Sequence, residues 1–360
     1  MAGEVTGQSL TGTGTIPVRP APSAAYFDAV EAAYNEALTP GIPEIQRDFS
    51  IAGRTIRLSF AGETLQPILA PAFEHLECDR VQSPDFTLVC WDDASTGVVT
   101  PEPPGPPERI GLDFVDESVR IAWEPARRSL SLFDPARRLG LMRFADADSA
   151  SVWEHAAPAR RMLHWWAAGH DMQLVHAAAV GLTDGGVLLV GRGGSGKSTT
   201  ALACFGSSLK YLADDYCVVS FDDTPRVFSL YSTGKADMTS VSLLPPLADA
   251  FAASPKRIDG KRVIFCDQHF SSSLLSSCPL RAIVIPKLGA GRPQLTRISA
   301  AQALRGVAPS TMMQLPGDRA STLARLAAIV KALPCYEMAL GADPYAAVPL
   351  LESLSRGEAA

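Results

Sequence analysis

Apolar and polar positions along this chain follow two rhythms, and the change between them divides it. Positions 24–38 keep a helical period, with Tyr26, Val30, Ala33 and Tyr34 on one face and Pro40 and Pro43 closing the run. From Phe49 the period falls to two, so 51–60 and 86–91 predict strands. Four further short strand-like runs, 110–114, 118–123, 130–133 and 138–144, are joined by brief turns and favour an antiparallel sheet. Ahead of them, Pro101-Glu102-Pro103-Pro104-Gly105-Pro106-Pro107 supports neither ladder nor helix and reads as a stiff surface loop.

The helical rhythm returns over 151–169, which carries Trp153, Met162, Leu163, Trp165 and Trp166. The Trp pair suits core or inter-domain packing better than stacking on a base. Strands are then predicted at 174–182 and 186–190, separated by the turn Thr183-Asp184-Gly185, with a short helix over 199–205. A strand at 209–213 ends in Asp214-Asp215, and extended runs follow at 216–221, 227–231, 261–265 and 280–286. Helices are expected over 300–308, with Ser299 as N-cap, and 319–332. The pattern therefore predicts four parts. Residues 1–22, rich in Gly, Ser, Thr and Pro, form a mobile segment; 23–150 a strand-rich α+β accessory or substrate-binding domain; 151–345 an α/β catalytic domain; and 346–360 a C-terminal tail.

Composition narrows the function classes. A chain of 360 residues with 47% apolar and 19% charged positions is globular and long enough for two domains. Its net charge of −6 argues against a nucleic-acid or anionic-membrane binder, and no apolar run reaches membrane-spanning length, so a cytoplasmic protein is expected. None of the seven cysteines forms a CxxC pair, which points to reduced core thiols rather than zinc.

Against this plain background stands Gly191-Arg192-Gly193-Gly194-Ser195-Gly196-Lys197-Ser198, entered from an apolar strand and followed by Thr199 and a helix. Backbone N–H groups around such glycines cradle phosphate oxygens, Lys197 bridges the outer phosphates, and Ser198 holds magnesium, so this P-loop pattern calls for a nucleotide, ATP or GTP, with Mg2+. Asp214 and Asp215 follow Lys197 by 17 and 18 residues, an interval that one helix and one returning strand fill. Two adjacent acids in an extended chain point apart, suggesting separate tasks, one toward the metal-bound phosphates and the other toward an acceptor hydroxyl. His176 precedes the loop by one strand; it fits a partner of the catalytic carboxylate and, equally, an ordinary satisfied histidine. Lys235 reads as a surface residue, as does the basic cluster 256–262.

The block Leu174-Val175-His176-Ala177, the loop 191–198 and Leu212-Ala213-Asp214-Asp215 together resemble the HPr kinase/phosphorylase-like family. The likeness is nearer to the divergent kinases of peptide-modification gene clusters of the lasso-peptide type than to the bifunctional enzyme. It implies that His176 assists the catalytic aspartate, Lys197 binds phosphate, Asp215 accepts the proton and Ser198 ligates magnesium. It further implies a serine or threonine acceptor on a peptide or small protein, encoded in the same gene cluster, and homo-oligomeric assembly. Thr199 stands where the bifunctional enzyme usually has Glu, and 234–242 lacks the glycine-rich segment with a second metal-binding glutamate. Those departures favour kinase activity alone over phosphorolysis. A small-molecule kinase and a nucleotide-responsive binding protein remain the alternatives.

Overall fold

The computed structural model describes residues 23–103, 113–115, 119–221, 224–254, 257–258, 260–289, 291–315 and 317–358. The segment 1–22 expected to be mobile lies outside them, as do most of the proline-rich loop and part of the strand expected at 110–114. The fold is mixed α/β with several sheets.

The first sheet has seven strands, in the order Glu44–Ile51, Arg54–Ala61, Phe86–Asp92, Leu139–Phe144, Ser129–Asp134, Arg120–Glu124 and Asp113–Val115. Its centre departs from the antiparallel expectation, because Phe86–Asp92 pairs in parallel with both neighbours. The intervening segments cross over rather than form hairpins, which short-range turn signals do not reveal. The helix Ser23–Ala37 covers one face, where Tyr34 and Trp91 lie with ring centroids 5.6 Å apart.

The opposite face of that sheet is continuous with the rest of the protein. One cluster holds Phe49 and Phe86 from the first sheet and Phe73 from the short helix Pro71–Leu76, together with Trp165, Trp166, Met172 and Tyr231. The Trp pair is therefore core. Residues 151–169 form two helices, Val152–Ala156 and Arg160–Ala168, split where Ala159 adopts φ 52° and its N–H is held by Glu154 at 2.8 Å.

The second large sheet has nine strands, and its long member Ser277–Leu288 ties two halves together. Residues 280–284 run parallel to Gly185–Leu189, and residues 277–279 pair with Arg226–Phe228. The stretch 174–182, expected as one strand, divides at Ala177. Met172–His176 pairs with Tyr216–Ser220 in one half, while Ala178–Leu182 pairs with Gly185–Leu189 and Lys210–Ala213 in the other. The chain crosses the same seam again at Asp214-Asp215, and the N–H of Ala177 donates to the carbonyl of Asp215 at 3.0 Å. The two crossings lie side by side.

Helices flank this sheet. Ala300–Gln314, longer than expected and containing Pro309, packs with Arg319–Ala332 on one face. On the other lie Lys197–Ala203 and Val348–Arg356. The described part of the C-terminal tail, residues 346–358, packs on the sheet: Leu351 and Leu354 are buried, and the helix approaches so closely that a Cβ on Gly185 would lie 2.2 Å from the carbonyl of Ser355. Among the described residues no helix is long and apolar enough to cross a membrane, and the cysteines are free, with all but Cys78 buried.

Candidate active site

The glycine-rich loop joins Gly185–Leu189 to the helix Lys197–Ala203. Gly191, Gly194 and Gly196 adopt φ of 143°, 77° and 99°, conformations open to glycine and costly for other residues. At Gly196 space is limiting as well, since a Cβ would meet Leu340 Cδ1 at 2.5 Å. Lys197 is buried and folds back on the loop, its Nζ donating to the carbonyls of Gly191 at 2.8 Å and Arg192 at 3.2 Å. Burial pushes its ammonium below the usual lysine range, with Asp214 opposing that shift. Ser195 Oγ and Thr200 Oγ1 are buried with no hydrogen-bond partner, and Thr199 donates to Ser240 Oγ at 3.2 Å. Arg192 itself turns to solvent, toward a second cavity of about 410 Å3 that it shares with Arg305 and Lys287.

The first crossing of the seam carries His176 and the second the acidic pair. Asp214 is fully buried and its oxygens are taken: Ser198 Oγ donates to Oδ1 at 2.8 Å, the Asp215 N–H to the same oxygen at 3.0 Å, and the Lys235 N–H to Oδ2 at 3.2 Å. Asp215 adopts φ 69°, a left-handed conformation that Asp tolerates better than most residues. That turn, rather than strand alternation, sends the two carboxylates apart. Asp215 lines a cavity of about 790 Å3 together with His176, Lys197, Ser198 and Lys235.

His176 Nε2 lies 3.8 Å from Asp215 Oδ1, beyond hydrogen-bond length, and its Nδ1 has no partner. Burial first, then the nearby Lys197 charge, pushes this imidazole down to about 3, so it is neutral near pH 7. Its backbone N–H is fixed by Thr311 Oγ1 at 3.1 Å.

Lys235 corrects the sequence reading. It is not a surface residue: 5% of it is exposed, and its Nζ pairs with Asp215 Oδ2 while lying 5.1 Å from the Trp153 ring centroid. Arg160, Trp153, Tyr216 and Gln314, which no motif singled out, complete that side of the cavity. Arg160 sits over the rings of Trp153 and Tyr216 at 6.0 and 5.8 Å. Within the basic cluster, Lys261 lines the cavity, whereas the side chains of 255–259 lie outside the described residues. Met313 is exposed and Met312 half-buried against the core.

No family model matches the chain, and no curated protein does. Among solved structures, the Hpr(Ser) kinase/phosphatase from Coxiella burnetii aligns with 51% of this chain and 94% of its own at 12% identity, with a TM-score of 0.28. A likeness of that size carries no argument about mechanism, so the functional reading rests on the geometry of the cavity.

Proposed function

We propose that the protein is an ATP-dependent kinase that phosphorylates a serine or threonine hydroxyl on a peptide or small protein. One observation carries the reading: the Ser198 to Asp214 hydrogen bond of 2.8 Å joins the end of the glycine-rich loop to the acidic pair, with Lys197 and Asp215 on the same cavity. In this reading the loop is a P-loop. Its backbone N–H groups take the phosphates, and Lys197 exchanges the carbonyls of Gly191 and Arg192 for phosphate oxygens.

The residues fit a magnesium ion. Magnesium usually binds through one or two carboxylates plus substrate phosphates and keeps several waters. A buried carboxylate already bonded to a P-loop hydroxyl suits that role, so Ser198 and Asp214 would hold it. No cluster of three or more His, Cys, Asp or Glu side chains forms a protein-only cage among the described residues. When bound, the ion would supply positive charge against the phosphate oxygens.

Asp215 orients the acceptor hydroxyl and takes its proton. Neutral His176, with its proton on Nε2, steadies Asp215 once the 3.8 Å separation tightens around substrate. The test is transfer of labelled phosphate from ATP to peptides encoded beside the gene, by wild type and Asp215→Asn. The variant is expected to lose about 10³-fold in transfer while binding ATP normally. Undiminished transfer would remove Asp215 as the base; ATP binding without transfer to any true partner would favour a nucleotide-responsive binding protein.

A further inference from the structure

We infer that Lys235 is a second phosphate-side cation, paired with Asp215 before nucleotide binds and released to the transferring phosphoryl group when nucleotide arrives. The inference rests on the kinase reading above and adds to it a residue and an order of events.

Residue 235 touches both members of the acidic pair. Its backbone N–H donates to Asp214 Oδ2, and its ammonium pairs with Asp215 Oδ2. The strand Thr233–Ala236 is anchored on both sides of that contact. It pairs with Lys261–Phe265, Tyr211 donates to the Thr233 carbonyl at 2.7 Å, and Thr233 Oγ1 donates to the Ala156 carbonyl at 2.8 Å. The α-carbon is thereby fixed, while the four-carbon stem can pivot over the Trp153 ring.

The ion pair faces the cavity that also holds Gly193, Gly194 and Lys197, unlike a pair sealed in a core. Asp214 is occupied by Ser198 and two backbone N–H groups, and the carboxylate that pairs with the Lys235 ammonium at the cavity is Asp215. A triphosphate on the loop brings a larger negative charge into the same cavity and competes for the ammonium. Moving Lys235 to the outer phosphate does two things at once. It unmasks the Asp215 carboxylate, and it sets positive charge where the transition state gathers negative charge. The acceptor proton then passes to Asp215 as the new O–P bond forms and the γ-phosphorus to bridging-oxygen bond breaks. ADP leaves, and Lys235 keeps its protons throughout.

Two measurements test this without an acceptor. In the wild-type protein, an acyl-phosphate derivative of ATP, which acylates lysines beside bound phosphates, should label both Lys197 and Lys235, with excess ATP protecting both. Lys197 labelled and Lys235 untouched would overturn the inference and leave the kinase reading standing; labelling of neither would overturn both. In equilibrium binding, Lys235→Ala should weaken ATP by about 10- to 100-fold and ADP by less than about 2-fold, with Lys235→Arg keeping most of the ATP preference. Equal losses for ATP and ADP would reduce Lys235 to a structural residue.

Discussion

In the seven-stranded sheet, Arg57 clamps Asp48 through hydrogen bonds of 2.7 and 2.8 Å, the Val81 N–H donates to the same carboxylate at 2.9 Å, and both side chains are buried. Beside the seam of the nine-stranded sheet, Lys197, Lys235 and His176 are just as buried, yet all three line one cavity with Asp215. There the bonding is incomplete: Lys197 rests on two carbonyls, His176 Nδ1 has no partner, and His176 stops short of Asp215. Burial of charge alone does not mark a functional site. A closed pair satisfies itself, whereas charges left half-satisfied around a cavity are arranged for something that enters it.

Single substitutions should separate the two kinds of charge. Arg57→Ala strands the Asp48 carboxylate in the core and is expected to cost about 3–5 kcal/mol of stability, read from urea unfolding. ATP affinity of the folded fraction should not change. Lys197→Ala should do the reverse, shifting stability by no more than about 1 kcal/mol while weakening ATP about 100-fold, or about 2.7 kcal/mol. A Lys197→Ala protein that unfolds as readily as Arg57→Ala would erase the distinction.

The contrast extends to pH. The Arg57 guanidinium holds the Asp48 carboxyl below its usual range, so that pair keeps its charge through mild acid. His164 and His176 are held neutral, pushed down by burial to about 4 and about 3 from an ordinary 6.5. The unfolded chain therefore binds these protons first as pH falls. Neither group contributes a slope above about pH 6.5; from there toward pH 4 stability should drop by about 1.4 kcal/mol per pH unit for each histidine. Unfolding midpoints at pH 7, 6 and 5 measure this, and a flat profile would show that the two imidazoles are not buried neutral.

Local signals made much of the fold legible. The amphipathic face of Tyr26, Val30, Ala33 and Tyr34 lies buried in the helix Ser23–Ala37. Ser299 caps its helix in a reciprocal box with Gln302, and Arg319–Ala332 runs over the expected residues. The misses share a cause. The parallel centre of the first sheet, the break at Ala177, and the packing of Val348–Arg356 all depend on which distant segment lies alongside, and a residue's neighbours in the chain carry little of that information.

The same division runs through the site. The sequence by itself determined the glycine-rich loop, because its backbone turns on glycine conformations set within a few residues. It also allowed two acids to return near the loop, since one helix and one strand fill the interval between Lys197 and Asp214. Tertiary structure alone decided which acid meets which partner, through the left-handed turn at Asp215 and the seam crossed twice by the chain. It alone brought Lys235 and Arg160 to the cavity, 20 and 55 residues from Asp215 in the chain. Which charges face one another depends on which distant segments lie alongside, and that is settled only once the sheets have closed.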